Sequence, residues 1–294
     1  MPSNPVVKGF WDRQTGSWQY VFHDPETMEG AIVDPVWNFD PHAGALSTRD
    51  AEVILAYIDG AGINISWILD THPHADHFSA GPYLKGRLGA PTGIGENVVK
   101  VQVLWKDIYN LGDSLPADGR QWDRLFRDGD VVQVGNMPVS VLFSPGHTLA
   151  SVVYVAGDAV FANDTLMMPH SGSSRTDFPG GDPRQLFRSI RRILAMSDAT
   201  RIFIGHDYPA AGNEPACEAS VADHKATNRH FGRNPSEEEF VKARTELDAT
   251  LPLPSQMLAA LQVNIRGGRL PEPEDNGRSY LKIPVGHFHS KTSE

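Results

Sequence analysis

The feature that most constrains this chain is the segment Thr71-His72-Pro73-His74-Ala75-Asp76-His77, which follows without a break on the apolar run Ile63 to Leu69. The run has the length and composition of a buried strand, so it delivers three imidazoles and one carboxylate together at a strand end. Imidazole and carboxylate are the usual nitrogen and oxygen ligands of zinc and iron. In an extended turn His72 and His74 point the same way, while Asp76 and His77 face a second position beside them. An isolated histidine is more often a packed core or surface residue. A cluster of this density after an apolar strand points to a metal.

The same arrangement recurs downstream. Val139 to Phe143 runs into Ser144-Pro145-Gly146-His147-Thr148, and Arg201 to Ile204 runs into Gly205-His206-Asp207-Tyr208. Phe161-Ala162-Asn163-Asp164 repeats it with a carboxylate. Ligands carried on one edge of several strands converge in space although they are far apart in sequence. Asp158 competes with Asp164 for this role, but it sits inside the Gly157-Asp158 turn, where Asp needs no function. Asp164 follows its strand as His72 and His147 follow theirs, so Asp164 is the better ligand.

The rest of the chain alternates strands and helices. Trp18 to Phe22 and Gly30 to Val36 read as strands around the turn-rich DPETMEG, and Val131–Val134, Val152–Val155 and Val160–Ala162 as further strands. Helices are expected after Thr48, near His77, over Asn97 to Asn110, and from Asp182-Pro183, where Leu186, Phe187, Ile190, Ile193 and Leu194 make one stripe. From about Val221 the pattern is helical, with Ser236 and Glu239 spaced as a capping box, and the proline- and glycine-rich tail after Gly267 is expected to wrap the surface. No long linker interrupts this order, so residues 1–294 are expected to form a single domain with a helical C-terminal extension from about 221 to 294. The net charge of −10, from 26 basic and 36 acidic residues, argues against nucleic acid as a partner. The apolar run Val53 to Ile58 is far below the ~18 residues of a membrane span. A single cysteine, Cys217, and an amino terminus without a signal pattern make a cytoplasmic location the expectation.

Taken together, HPHADH, SPGHT, the strand-end aspartate and GHDY resemble the metallo-β-lactamase superfamily. The resemblance implies an α/β fold: an αββα sandwich of two central mixed β-sheets flanked by helices, with metal at one edge. The superfamily holds two-zinc hydrolases such as glyoxalase II and mononuclear iron persulfide dioxygenases. Ser174-Arg175-Thr176-Asp177-Phe178, Glu238-Glu239-Phe240-Val241-Lys242, Leu253-Pro254 and Asn264-Ile265-Arg266 are similar to the bacterial persulfide dioxygenases. Two segments depart from that pattern. Ser171-Gly172-Ser173-Ser174 stands where a Gly-Cys-Gly is common, and an added stretch from Val101 to Asp123, with Trp105 and Trp122, is expected to border the pocket.

What the resemblance implies for the site is specific. His72, His147 and Asp164 would hold one Fe(II) per chain, leaving positions for dioxygen and glutathione persulfide, with sulfite and glutathione as products. His74, Asp76, His77 and His206 would then fix ligand orientation and charge. In the alternative, a dinuclear zinc thioester hydrolase of the glyoxalase II type, they complete a second metal site. The carboxylates of glutathione call for basic or polar contacts, for which Arg175, Tyr208 and Arg266 are the candidates; pairing with Asp177 is the alternative role of Arg175. Family habit admits a homodimer. His23, His42, His170, His224, His230, His287, His289 and Cys217 receive no part in the chemistry.

Overall fold

The computed structural model describes residues 4–209 and 212–288. The first half runs β1 (Val6–Asp12), β2 (Ser17–His23), β3 (Glu29–Val33), β4 (Val36–Asp40), β5 (Ala45–Ser47), α1 (Arg49–Ala61) and β6 (Asn64–Leu69). It continues through β7 (Phe78–Ser79), α2 (Gly81–Leu88), β8 (Thr92–Gly95), α3 (Val98–Ile108) and β9 (Arg124–Phe126). The second half holds β10 (Val131–Val134), β11 (Met137–Phe143), β12 (Val152–Ala156), β13 (Ala159–Asn163), α4 (Pro183–Leu194), β14 (Arg201–Ile204) and β15 (Glu218–Ser220). Three helices follow: α5 (Val221–Thr227), α6 (Glu237–Asp248) and α7 (Met257–Asn264). None of the described helices is long and apolar enough to cross a membrane.

Two six-stranded mixed sheets result, ordered β1-β2-β3-β6-β8-β9 and β10-β11-β12-β13-β14-β15. Strand alternation explains why they stack and why helices cover them. Tyr20, Phe22, Ala31, Val33 and Leu69 of the first sheet meet Val139, Val141, Tyr154, Phe161 and Phe203 of the second in one core. Their sequence neighbours Val21, Ile32 and Ile68 face outward onto Ile54 and Ile58 of α1 and Leu84 of α2. Val153, Val160, Ile202 and Ile204 likewise face Leu186, Ile190 and Ile193 of α4 and Phe240 of α6. This is the αββα sandwich that the sequence resemblance implies. At the start of α4, Asp182 accepts from the amides of Arg184 (2.8 Å) and Gln185 (3.2 Å), and Pro183 opens the first turn.

Two expectations about elements are corrected. The segment Gly30 to Val36 is not one strand: Asp34 takes φ +50°, which breaks the extended backbone and sends β4 into a small separate sheet with β5 and β7. No helix begins near His77, because Phe78 and Ser79 pair with Trp37 and Val36 and α2 starts only at Gly81. The strand β1, unread in the sequence, lies antiparallel to β2 over its whole length.

Candidate functional site

The ends of β6, β11, β13 and β14 bring His72, His147, Asp164 and His206 together, as their strand-end positions predict. His72 Nε2 lies 3.7 Å and His147 Nε2 3.5 Å from Asp164 Oδ2, and the two imidazole rings stand edge to face 5.0 Å apart. On the other side of the carboxylate, His206 Nε2 is 3.3 Å from Asp164 Oδ1 and 3.4 Å from Asp76 Oδ2. Among the described residues, three triplets have donor atoms within 4.8 Å of one another: His72-His147-Asp164, His74-Asp76-His77 and Asp76-Asp164-His206. Asp158 takes no part; it forms an ion pair with Arg201 at 2.7 Å.

Three of the rings are aimed by a contact on the far nitrogen. His147 Nδ1 is 2.8 Å from the Arg175 carbonyl, His77 Nδ1 is 3.0 Å from that of Phe78, and His72 Nδ1 is 3.0 Å from Thr71 Oγ1. Such contacts set the tautomer and turn Nε2 toward the centre. His72 Nε2 is buried without a hydrogen-bond partner, as befits a nitrogen placed to ligate a cation. Burial, with help from the neighbouring His74, pushes the His72 pKa well down, so its imidazole is neutral. Burial would raise Asp164, but His206, His147 and His72 outweigh it and hold the group ionised. Neutral imidazoles beside a carboxylate are the donor state a metal requires. Gly205 is required beside them, because a Cβ there would collide with Asp164 Oδ1 and Asn163 Oδ1.

A buried acid absent from the predicted set organises this edge. Asp34 accepts from the Thr71 amide (2.7 Å), from Thr71 Oγ1 (2.9 Å) and from Asn163 Nδ2, and its Oδ1 is 2.9 Å from His74 Nε2. Burial disfavours a charged His74, yet Asp34, Asp76 and Asp164 together hold its pKa up at about 9. His74 therefore does not share the His72 triplet but turns to Asp34 and groups with Asp76 and His77. Asp34 was legible by the rule that found His72, since it too ends an apolar run. Asn264 of α7 supplies the second clamp, donating to the carbonyls of His74 (2.8 Å) and His77 (2.7 Å).

A cavity of about 470 Å³ opens on the donor cluster. His147, Asp164 and His206 form one part of its lining, and Arg244, Leu247 and the segment Leu251 to Pro254 form another. The three expected substrate contacts fare differently. Arg175 reaches the cavity, but its fork is occupied by Asp177 (2.7 and 2.9 Å) and its Nη1 by the Pro252 carbonyl (2.6 Å). Tyr208 stands at the mouth, 66% exposed, its ring parallel to that of His206. Arg266 is not at the cavity: it is buried and donates to the Gln262 carbonyl, because Asn264 takes the site-facing position of that helix end.

The added stretch does not border the pocket either. Trp105 and Trp122 are buried in a core with Ala75 and Phe178, and Trp122 Nε1 donates to Asp70 Oδ2 at 2.9 Å, bracing the site from behind. Cys217 is half-buried, and burial pushes its thiol up to about 11, so it carries little thiolate. His170 is exposed, 3.6 Å from Asp207, and His289 lies outside the described residues. Arg244 was missed in the sequence. Its signal is that Phe240, Arg244 and Asp248 continue one buried stripe of α6 with charges where apolar residues belong.

Comparison with known proteins agrees with this geometry. The pattern of the metallo-β-lactamase superfamily matches residues 15–206. A "Beta-lactamase hydrolase-like protein" of Xylella fastidiosa is 54% identical over 281 residues, covering 96% of this chain and 65% of the relative, so the chain spans about two thirds of that protein's length. The human mitochondrial "Persulfide dioxygenase ETHE1" is 27% identical over 266 residues, 90% of this chain and 89% of the relative. The crystal structure of ETHE1 from Myxococcus xanthus superposes with a TM-score of 0.71 at 27% identity, covering 90% of this chain and all of that one.

Proposed function

The chain belongs to the metallo-β-lactamase superfamily, and on that premise we propose that it is a mononuclear iron persulfide dioxygenase. The reaction is RSSH + O₂ + H₂O → RSH + H₂SO₃, with glutathione persulfide as the substrate and sulfite and glutathione as products. The observation that supports this reading is the set of two histidines and one carboxylate, His72, His147 and Asp164. That is the donor set of non-haem Fe(II) oxygenases, and His74, whose Nε2 is 2.9 Å from Asp34 Oδ1, lies outside it. When bound, the iron supplies electron transfer between persulfide and dioxygen.

The chain's own residues do the rest. Asp164 provides the negative charge, and the Arg175 and Thr71 contacts hold the two imidazoles in register. His206 Nε2 stands at the cavity edge between Asp76 Oδ2 and Asp164 Oδ1, at 3.4 and 3.3 Å. Ser17 Oγ donates to Asp76 Oδ2 at 2.7 Å and holds that carboxylate facing His206. Phe178, Leu247, Leu251 and Leu253 form an apolar wall that limits water near the sulfur.

A second reading, a two-zinc thioester hydrolase, draws on the Asp76-Asp164-His206 triplet and on the hydrolase names of the higher-identity relatives. Protein purified without added metal decides between them. The dioxygenase reading expects one iron per chain and stoichiometric oxygen uptake and sulfite release with glutathione persulfide. Two zinc ions with hydrolysis of a glutathione thioester, and no oxygen uptake, would overturn it.

A further inference from the structure

The loop that carries the Arg175 carbonyl is irregular yet largely buried. Over residues 172–176 its ladder contact is one isolated bridge, Ser173 to Leu166, while Gly172, Ser173, Ser174 and Thr176 are all buried. Buried backbone has to find hydrogen bonds somewhere, and here side chains from the C-terminal helices supply them. Asn228 Nδ2 donates to the Gly172 carbonyl at 3.1 Å. The Ser173 amide donates to His230 Nδ1 at 3.1 Å, and Ser173 Oγ is 3.0 Å from the same nitrogen. Arg244 Nη1 donates to the Ser173 carbonyl at 3.1 Å, and Asp248 Oδ2 accepts from the amide and hydroxyl of Thr176 at 2.8 and 2.9 Å. Arg244 Nη2 donates to Asp248 Oδ1 at 2.6 Å, so both flanks of Arg175 hang on one turn of α6. The Arg175 carbonyl takes a different partner, His147 Nδ1 at 2.8 Å.

Donor rules fix the tautomers along this path. An amide only donates, so His230 Nδ1 is an acceptor. Asn228 Oδ1 accepts from the amides of His230 and Phe231, which leaves Nδ2 facing His224 Nδ1 at 3.0 Å and makes that nitrogen an acceptor too. A carbonyl only accepts, so at Arg175 the rule is reversed. His147 carries its proton on Nδ1 and keeps the Nε2 lone pair for a cation. We propose that α5, α6 and the connection between them are a positioning device for His147. Asn228, His230 and the Arg244–Asp248 pair hold the 172–176 backbone so that the Arg175 carbonyl fixes the ligating tautomer and the direction of the ring. The proposal rests on His147 as a metal ligand and is the same for iron or zinc. It gives His224 and His230, which lie outside the donor cluster, a part in building it.

The test uses zinc-loaded protein with isotope-labelled histidine. In the wild type, NMR should show the His147 Nδ1–H as a slowly exchanging signal. His230→Phe keeps a ring but removes the acceptor, and Thr176→Val removes one of the two bonds to Asp248. The double variant should exchange that proton at least tenfold faster and bind zinc roughly tenfold more weakly, the low end for residues that orient a ligand. Where it does not fold, each single variant should move the same two readouts in the same direction. His230→Asn, whose Oδ1 stands in for Nδ1, should stay near wild type. Phe231→Leu loosens the neighbouring core without removing any of these bonds, so it should lower the urea midpoint and leave both readouts unchanged. Wild-type exchange and zinc affinity in the His230 and Thr176 variants, no protected Nδ1–H in the wild type, or an equal loss in Phe231→Leu would overturn the assignment. If wild-type protein takes up no oxygen with the persulfide while both readouts follow the variants as expected, the dioxygenase reading fails and the positioning device stands.

Discussion

The two walls of the cavity are built by opposite rules. The donor wall consists of short loops at the ends of β6, β11, β13 and β14, each carrying a side chain whose chemistry is its reason for being there. The facing wall comes from helix α6, the irregular segment Leu251 to Pro254 and the loop that carries Arg175, and its two arginines are tied to Asp177 and Asp248. On the donor wall, hydrogen bonds to Thr71 and to the Arg175 carbonyl leave the Nε2 atoms of His72 and His147 beside Asp164, and one to the Phe78 carbonyl sets His77 in its own triplet. On the facing wall, ion pairs hold the chain together and leave only the edges of polar groups to the cavity. The difference teaches that a ligand set can be read by residue type, whereas a substrate wall has to be read by which bonds are already taken.

The largest expected effect breaks the donor wall. Asp164→Ala should lower metal affinity by more than the ~100-fold upper end seen for residues that merely orient ligands, read as metal content after desalting. Wild-type metal content in that variant would remove Asp164 from the ligand set. The next effect probes the support of the facing wall through acid. His224 is fully buried, and desolvation pulls its pKa down to about 4 against weak opposition from Asp223. Its neutral Nδ1 accepts from Asn228 Nδ2, which also donates to the Gly172 carbonyl in the loop that leads to Ser174. The unfolded chain takes up that proton near pH 6.5, so the contribution is whole above that pH and is lost as pH falls toward 4. It amounts to about 3 kcal/mol, and urea unfolding at the two ends of this range should detect it. His224→Gln should flatten the slope; an unchanged slope would place the acid sensitivity elsewhere.

Asp34→Asn comes third. Removing the charge that anchors Thr71, Asn163 and His74 should cost ~10–100-fold in metal affinity, with the fold retained in circular dichroism. The smallest effect separates the two arginines. Arg175→Ala should raise the apparent KM several-fold, within ~1 kcal/mol, by loosening the Pro252 contact, and Arg175→Lys should not rescue it, because lysine cannot fork onto Asp177. Rescue by lysine would mean that Arg175 contacts the substrate directly and would erase the contrast between the walls.

Much of the donor wall was legible because metal ligation demands particular atoms, and His72, His147, Asp164 and His206 all occupy the same place relative to their strands. The strands themselves were legible as β-branched, aromatic or apolar runs bounded by turns, and α4 from its apolar stripe and its Asp-Pro start. The break at Asp34 was not, since a positive φ at a non-glycine residue is imposed by tertiary hydrogen bonds and not by local preference. Nor was the position of the Val101 to Asp123 stretch. An indole reads the same in a pocket wall as in a core until its neighbours are known.

By itself the sequence determined that strand ends carry imidazoles and carboxylates in a pattern suited to a metal, and that the chain folds in alternating strands and helices. Residue chemistry and periodicity are local properties, so a linear string retains them. Only the tertiary structure decided that His74 belongs to Asp34, that Arg266 lies away from the cavity, and that Arg244 replaces it at the wall. Those outcomes depend on which donors and acceptors are already paired once distant segments pack together, and pairing is a property of the whole fold.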